Sequence, residues 1–504
     1  MKKQRHMKLS GLVSLVLVIG LIASGCAPPA PAPATEETPT PETLPTEAPS
    51  EESMPETTDP PAAIAGQWQG KIVLPGLGLE ILVNFGEDSG TIEGTIDIPA
   101  QGASGIPLHS IQAGDSTLHF EMLDGPRLAV FDGAVQPDGT IEGSFTQAGV
   151  EGDFELARPE PVSQDPLPYL EEEVVFGNDD ISLAGTLTLP SEGGPFPAMI
   201  LISGSGQQNR DEEIPLAPGY KPFQEIADHL TRQGIAVLRY DDRGVGDSTG
   251  DPTLATSADF AGDAEAALAY LLGREEISND QIGLLGHSEG GLIAAMIAAR
   301  NPQIHNVISM AGTAVDGYET IVKQVERAVL AAGGSQEDAA ESAGLQREVL
   351  DLVVAQDWPT LQTVLEKITT EQLQALPEEQ RATLGNLEAV VAQQTAAQMQ
   401  AFQSPWYQFF LSYDPARDWA QVTVPVLGLY GELDTQVDAT QNTSALQAAL
   451  DQAGNSAVTI QVLPTANHLF QDAVTGSVNE YPMLKTDLVP GFLESISSWL
   501  LENR

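Results

Sequence analysis

From Val174 onward, short apolar runs at Ala198–Ile202, Ile235–Tyr240 and Gln281–Leu285 alternate with longer amphipathic stretches at Pro222–Gln233 and Ser257–Leu272. Runs that are apolar on both faces cannot stand with one side in water, whereas the amphipathic stretches need only one apolar partner. The alternation therefore predicts an α/β architecture: a mostly parallel, doubly wound sheet with helices on both faces. A hairpin over Val174–Leu189, broken near Gly177-Asn178-Asp179-Asp180, leads into it. Ligands of such sheets sit at the carboxyl ends of the strands, so the chemistry is expected there.

The third strand runs into Gly286-His287-Ser288-Glu289-Gly290-Gly291, and a helix over Leu292–Arg300 follows, stopped by Asn301-Pro302. In G-x-S-x-G between strand and helix, the glycines let two backbones approach while the serine is held on a strained corner. Ser288 is thus the candidate nucleophile, and a serine hydroxyl needs a base. Of seven histidines, His6 lies near the N-terminus, and His109 and His119 lie in a separate β-rich region without obvious partners. His229 falls inside a helix, His305 precedes a strand, and His287 adjoins the serine and should point away from it. His468 directly follows the strand Val458–Leu463 and is the candidate base. The strand Val424–Tyr430 opens into Gly431-Glu432-Leu433-Asp434, which makes Asp434 the candidate acid, with Glu432 and Asp438 as local competitors. The first strand ends in Ser203-Gly204-Ser205-Gly206. The backbone N–H groups of Glu289 and Ser205, with Gly204 as the alternative, are the expected oxyanion donors. No Lys-Ser/Thr follows that glycine run, so a phosphate loop is excluded.

Several stretches together resemble secreted bacterial α/β-hydrolase esterases, which stand beside the serine aminopeptidase-like (S33) and prolyl-oligopeptidase-like hydrolases. They are Ile202–Gly206 with Arg210-Asp211-Glu212, Arg239–Gly244, Gly286–Gly290, Ser404–Phe410 with Tyr413-Asp414-Pro415, Gly431–Val437, and Asn467-His468-Leu469-Phe470. They spread over residues 174–504, and the order Ser288, Asp434, His468 is that of α/β-hydrolases. Gln207 stands where relatives often have proline. The resemblance implies an α/β-hydrolase domain over 170–504 that cleaves carboxylic esters through Ser288, Asp434 and His468, with no cofactor and no metal. A proline-iminopeptidase-like aminopeptidase is the second reading. An insertion over about 317–403, rich in Ala, Glu, Gln and Leu, is helical by propensity and placed where a lid would cover the nucleophile. Trp406, Tyr407, Phe409 and Phe410 after it either line an acyl pocket or belong to a core.

Ahead of this domain, residues 65–160 read as short glycine-punctuated strands. Gly90-Thr91-Ile92-Glu93-Gly94 recurs as Gly139-Thr140-Ile141-Glu142-Gly143, as a hairpin repeated in a small antiparallel β domain would. A half-barrel is expected, with a structural role or, in a non-catalytic reading, a lipid- or glycan-binding one. Residues 1–25 combine Lys2, Lys3, Arg5 and Lys8 with an uncharged apolar run, as in a secretory signal. Ala23-Ser24-Gly25-Cys26 resembles a lipoprotein signal, with Ala23 where Leu is commoner, and implies lipidation of Cys26 and an extracytoplasmic, membrane-anchored protein. Residues 27–60, mostly Pro, Thr, Ala, Glu and Ser, read as a disordered tether. Cys26 is the single cysteine, so no intramolecular disulfide forms. With 22 Lys+Arg against 71 Asp+Glu, the formal charge of −49 excludes a nucleic-acid partner.

Overall fold

The computed structural model describes residues 64–503, apart from the short stretches 75–76, 89–90, 99–102, 115, 125–126, 148–149 and 160–165. The signal, Cys26 and the tether lie outside the described residues. The described chain falls into two compact units, one ending at Asp165 and one beginning at Pro166.

In the first unit, eight antiparallel strands form a closed barrel: β1 (Gly66–Leu74), β2 (Leu77–Asp88), β3 (Thr91–Ile98), β4 (Ala103–Ala113), β5 (Thr117–Asp124), β6 (Arg127–Val135), β7 (Ile141–Gln147) and β8 (Val150–Ala157). The expected half-barrel is corrected here: β1 pairs with β8 from Gln69↔Ala157 to Val73↔Asp153, which leaves no sheet edge. Alternation sends every second side chain inward. The interior is filled by Phe85, Phe120, Phe131 and Phe154, with the Phe120 and Phe131 rings stacked at 4.4 Å. Gly133 and Gly143 face each other across β6 and β7 beneath the Phe154 ring, and a Cβ on Gly143 would lie 2.1 Å from the Asp132 carbonyl oxygen. Thr91–Gly94 of the first copy of the glycine motif open β3, and Ile141–Gly143 of the second open β7, each strand pairing antiparallel with the one before it. His119 does have a partner, the Asp132 carboxylate at 2.7 Å.

The second unit carries an eight-stranded sheet of β9 (Tyr169–Asn178), β10 (Ile181–Pro190), β11 (Phe196–Ile202), β12 (Ala236–Tyr240), β13 (Ile277–His287), β14 (Ile304–Met310), β15 (Val426–Gly431) and β16 (Val458–Leu463). Its order is β16-β15-β14-β13-β11-β12-β10-β9. The pairings from β12 to β16 are parallel, and β9 and β10 pair antiparallel at one edge. Helices Ser257–Leu272, Glu289–Ala298 and Ala439–Gln452 contribute to the core on one face. Pro222–Arg232 and Phe492–Glu502 contribute to the core on the other. After β11 the chain adds β12 on one side and then β13 on the other, so the strand order reverses there. That reversal opens a crevice beyond the carboxyl ends of β11 and β13.

Between β14 and β15 the insertion forms helices Gly317–Ala331, Gln336–Val354, Trp358–Ala375, Glu378–Thr383 and Leu387–Gln403, followed by Pro405–Ser412. Asp316, Ser335, Asp357 and Asn386 cap four of them through side-chain oxygens, satisfying amides that the first turn leaves open. These helices share an apolar core that includes Val349, Leu350, Leu361 and Phe402. Tyr407 and Phe410 are buried in that core. Among the described residues, no helix is long and apolar enough to cross a membrane.

Candidate active site

Ser288 sits at the junction of β13 and the helix Glu289–Ala298 with φ 53° and ψ −115°, a combination that L-residues avoid. Close backbone crossings hold it there. A Cβ on Gly286 would stand 2.0 Å from the Gly290 carbonyl oxygen, and one on Gly290 would stand 2.1 Å from that of Ile202. The Ser288 amide is tied to the Met310 carbonyl of β14 at 2.8 Å. The next amide, Glu289 N–H, opens the helix and has no partner among the described residues, as the first helical N–H groups generally lack one.

His468 and Asp434 come from the loops after β16 and β15. His468 Nδ1 lies 2.9 Å from Asp434 Oδ2, and both residues are buried. The other oxygen, Oδ1, accepts the N–H groups of Gln436 and Val437 at 2.7 and 2.8 Å, which aims the carboxylate. The competing acids are used elsewhere: Glu432 accepts the Thr465 amide, and Asp438 caps the helix Ala439–Gln452 and faces Arg327. Asn467 ties its own loop by accepting the amides of Leu469 and Gln471, and the Tyr220 hydroxyl donates to the Leu469 carbonyl at 2.6 Å. His229 bonds Ser497 and His305 bonds the Asn503 carbonyl, so neither meets this pair.

The loop after β11 packs against the serine: a Cβ on Gly204 would touch Ser288 Cβ at 3.3 Å. The Gly204 amide donates to Glu212 Oε1 at 3.0 Å, while the Ser205 amide has no partner among the described residues. Acids hold this loop. Asp242 accepts from the Ser203 hydroxyl at 2.7 Å and from the Gln208 amide at 3.0 Å. Burial pushes its carboxyl up to about 8, the neighbouring Glu289 and Glu212 carboxylates adding to the effect. Arg210 grips Asp241 with Nε and Nη2, and Arg239 pairs with Asp211. The Glu289 side chain accepts from Ser257 at 2.5 Å and from Trp406 Nε1 at 2.7 Å, and burial holds its pKa above the ordinary glutamate value.

Sequence reasoning missed three of these parts. Glu212 and Asp242 stand in stretches that carried the family resemblance, yet their partners lie 8 to 75 positions away in the chain. Trp406 reaches Glu289 from 117 positions away. No local spacing signals such links.

The sequence pattern of the serine aminopeptidase S33 family matches residues 219–472. Esterase EstD of Thermotoga maritima is 26% identical over 365 residues, spanning 72% of this chain and 74% of that protein. Among solved structures, the Pyrococcus furiosus esterase Pf2001 is 14% identical and superposes over 67% of this chain and 92% of its own, with a TM-score of 0.40. Proline iminopeptidase from Mycobacterium smegmatis is 19% identical over 66% of this chain and 98% of its own, with a TM-score of 0.38. With half of its length matched by the family pattern, an α/β sheet of hydrolase type and a serine on the strand-to-helix corner, the chain belongs to the serine aminopeptidase S33 family of α/β-hydrolases.

Proposed function

We propose that the protein is a serine esterase that hydrolyses small carboxylic esters through an acyl-enzyme. The observation that carries this reading is the strained Ser288 corner beside a loop whose buried histidine is bonded to a buried aspartate. Ser288 Oγ attacks the ester carbonyl while His468 Nε2 takes its proton. Asp434 holds Nδ1–H, fixing the tautomer and stabilising the imidazolium that forms. The amides of Glu289 and Ser205 receive the developing oxyanion; the Gly204 amide is already committed to Glu212. Collapse of the tetrahedral adduct breaks the C–O bond to the alcohol, which leaves with the proton from His468. Water then enters, gives a proton to the same nitrogen and releases the acid. The ester reading is also supported by similarity to EstD, which extends over most of both chains.

A panel of p-nitrophenyl esters and aminoacyl p-nitroanilides tests this reading. Esters are turned over and anilides are not, and Ser288→Ala lowers kcat by at least about 10³-fold. Anilide turnover without ester turnover moves the activity to aminopeptidase, and ester turnover surviving in Ser288→Ala removes the nucleophile.

We further propose that Cys26 carries a lipid that anchors the enzyme outside the cytoplasm, the charged and then apolar N-terminus serving as the signal. Incorporation of a labelled fatty acid is expected in the wild type and absent from Cys26→Ala; label retained by the variant contradicts the anchor.

A further inference from the structure

Glu212 and His287 form a second buried acid–histidine contact beside the proposed triad. Glu212 is 1% exposed and held at φ 58°, in the left-handed region that a glutamate seldom occupies. Its Oε1 accepts from the Gly204 amide and lies 2.7 Å from His287 Nδ1, while Oε2 is buried with no partner among the described residues. His287 Nε2 lies 2.9 Å from the main-chain oxygen of His468, and the two imidazole rings are 4.7 Å apart between centroids.

These partners set the protonation of the ring. A carbonyl oxygen only accepts, so Nε2 carries a hydrogen; a carboxylate oxygen also only accepts, so Nδ1 carries one too. His287 is then an imidazolium paired with a carboxylate. Burial is the largest single influence and lowers its pKa, but the charge and hydrogen bond of Glu212, the His468 carbonyl and the Asp434 carboxylate together leave it above the ordinary histidine value.

As a stabilising device the arrangement is poor. A buried ion pair returns little net stability, one of its oxygens is orphaned, and its glutamate sits in a disfavoured backbone region. What it does achieve is mechanical. One carboxylate oxygen fixes the peptide leading to Ser205, and one imidazole fixes the main chain of His468, whose ring is bonded to Asp434.

We propose that Glu212 and His287 act as a buried positioning pair for ester hydrolysis, registering the oxyanion loop against the loop of the base. The proposal rests on Ser288 as nucleophile and His468 as base. Neither residue touches the substrate, so the pair acts on the reacting geometry rather than on binding.

The test is steady-state hydrolysis of a p-nitrophenyl ester by Glu212→Gln, His287→Gln and the double variant. Rates are expressed per serine titrated with a fluorophosphonate, so unfolded molecules are not counted. Each single variant is expected to lose on the order of 10²-fold in kcat with KM within about twofold, because small misplacements of catalytic groups cost rate. The double variant is expected to be no worse than the more impaired single one, since either change alone removes the same carboxylate–imidazolium pairing. A kcat within about twofold of wild type, a change confined to KM, or additive losses would each overturn the pair. Ser288→Ala separates the two ideas: if it still reacts with the fluorophosphonate and turns over ester, the nucleophile is wrong. If it is inert while the glutamine variants match wild type, only the positioning pair is wrong.

Discussion

At the scale of single residues, the site is defined by buried groups whose ionisation is set by their neighbours. Asp242, a half-buried residue whose carboxyl is enclosed by its neighbours, is the clearest case, with that carboxyl raised to about 8. An acid with a raised folded pKa contributes stability that is fully present below its unfolded value of about 4 and lost as pH rises through 8. Asp242→Asn can still accept the Gln208 amide and meet Ser203, but it cannot ionise. The melting temperature of the variant relative to wild type is therefore expected to rise between pH 5 and pH 9. A difference that stays constant across that range contradicts the burial argument. The placement of Ser288, Asp434 and His468, the proposed catalytic residues, was legible in the sequence because each sits just past an apolar strand, where this kind of sheet presents its chemistry. Glu212 and His287 were not. His287 reads as the serine's bystander, and only the fold brings a glutamate from another loop to its ring.

Secondary-structure elements show the same division between local and long-range information. Ser257–Leu272 and Val458–Leu463 run between the residues that local periodicity predicts. The nucleophile helix starts three residues earlier than expected, at Glu289, because Gly290 and Gly291 are poor helix formers that enter the helix through close packing, Gly290 on the backbone at the end of β11 and Gly291 on Ser309 of β14 and on Gly312. Gly290→Ala drives a Cβ into the Ile202 carbonyl and is expected to lower the melting temperature and abolish ester turnover. A Cβ on Gly344, inside the helix Gln336–Val354, would meet nothing within 4 Å, so Gly344→Ala is expected to add about 0.4–1 kcal/mol by restricting the unfolded chain. Opposite shifts in thermal melting support the packing described for these two helices; a harmless Gly290→Ala contradicts it. The aromatic run after the insertion divides for a similar reason. Tyr407 and Phe410 face the insertion's own core, whereas Trp406 turns its indole N–H to Glu289, and helical spacing alone does not say which face meets which neighbour.

For the whole molecule, the sequence separates a β-rich part from an α/β part by its change in periodicity, and each has its own core. Barrel closure was not legible because the closing contact joins the first strand to the last, and neither strand carries a local mark of it. The large negative charge belongs to surfaces rather than to the site. The buried acids are few, and several are matched: Asp241 by Arg210, Asp263 by Arg243 and Glu212 by His287. All residues of the proposed reaction come from the α/β unit, and their joint purpose is to make one serine hydroxyl reactive. The most direct measurement is mass analysis of enzyme quenched during turnover of p-nitrophenyl acetate, followed by peptide mapping. A single acetyl group per chain on the peptide that holds Ser288, absent from Ser288→Ala, is the predicted result; acetylation at another residue, with turnover intact in the alanine variant, is the result that would contradict it.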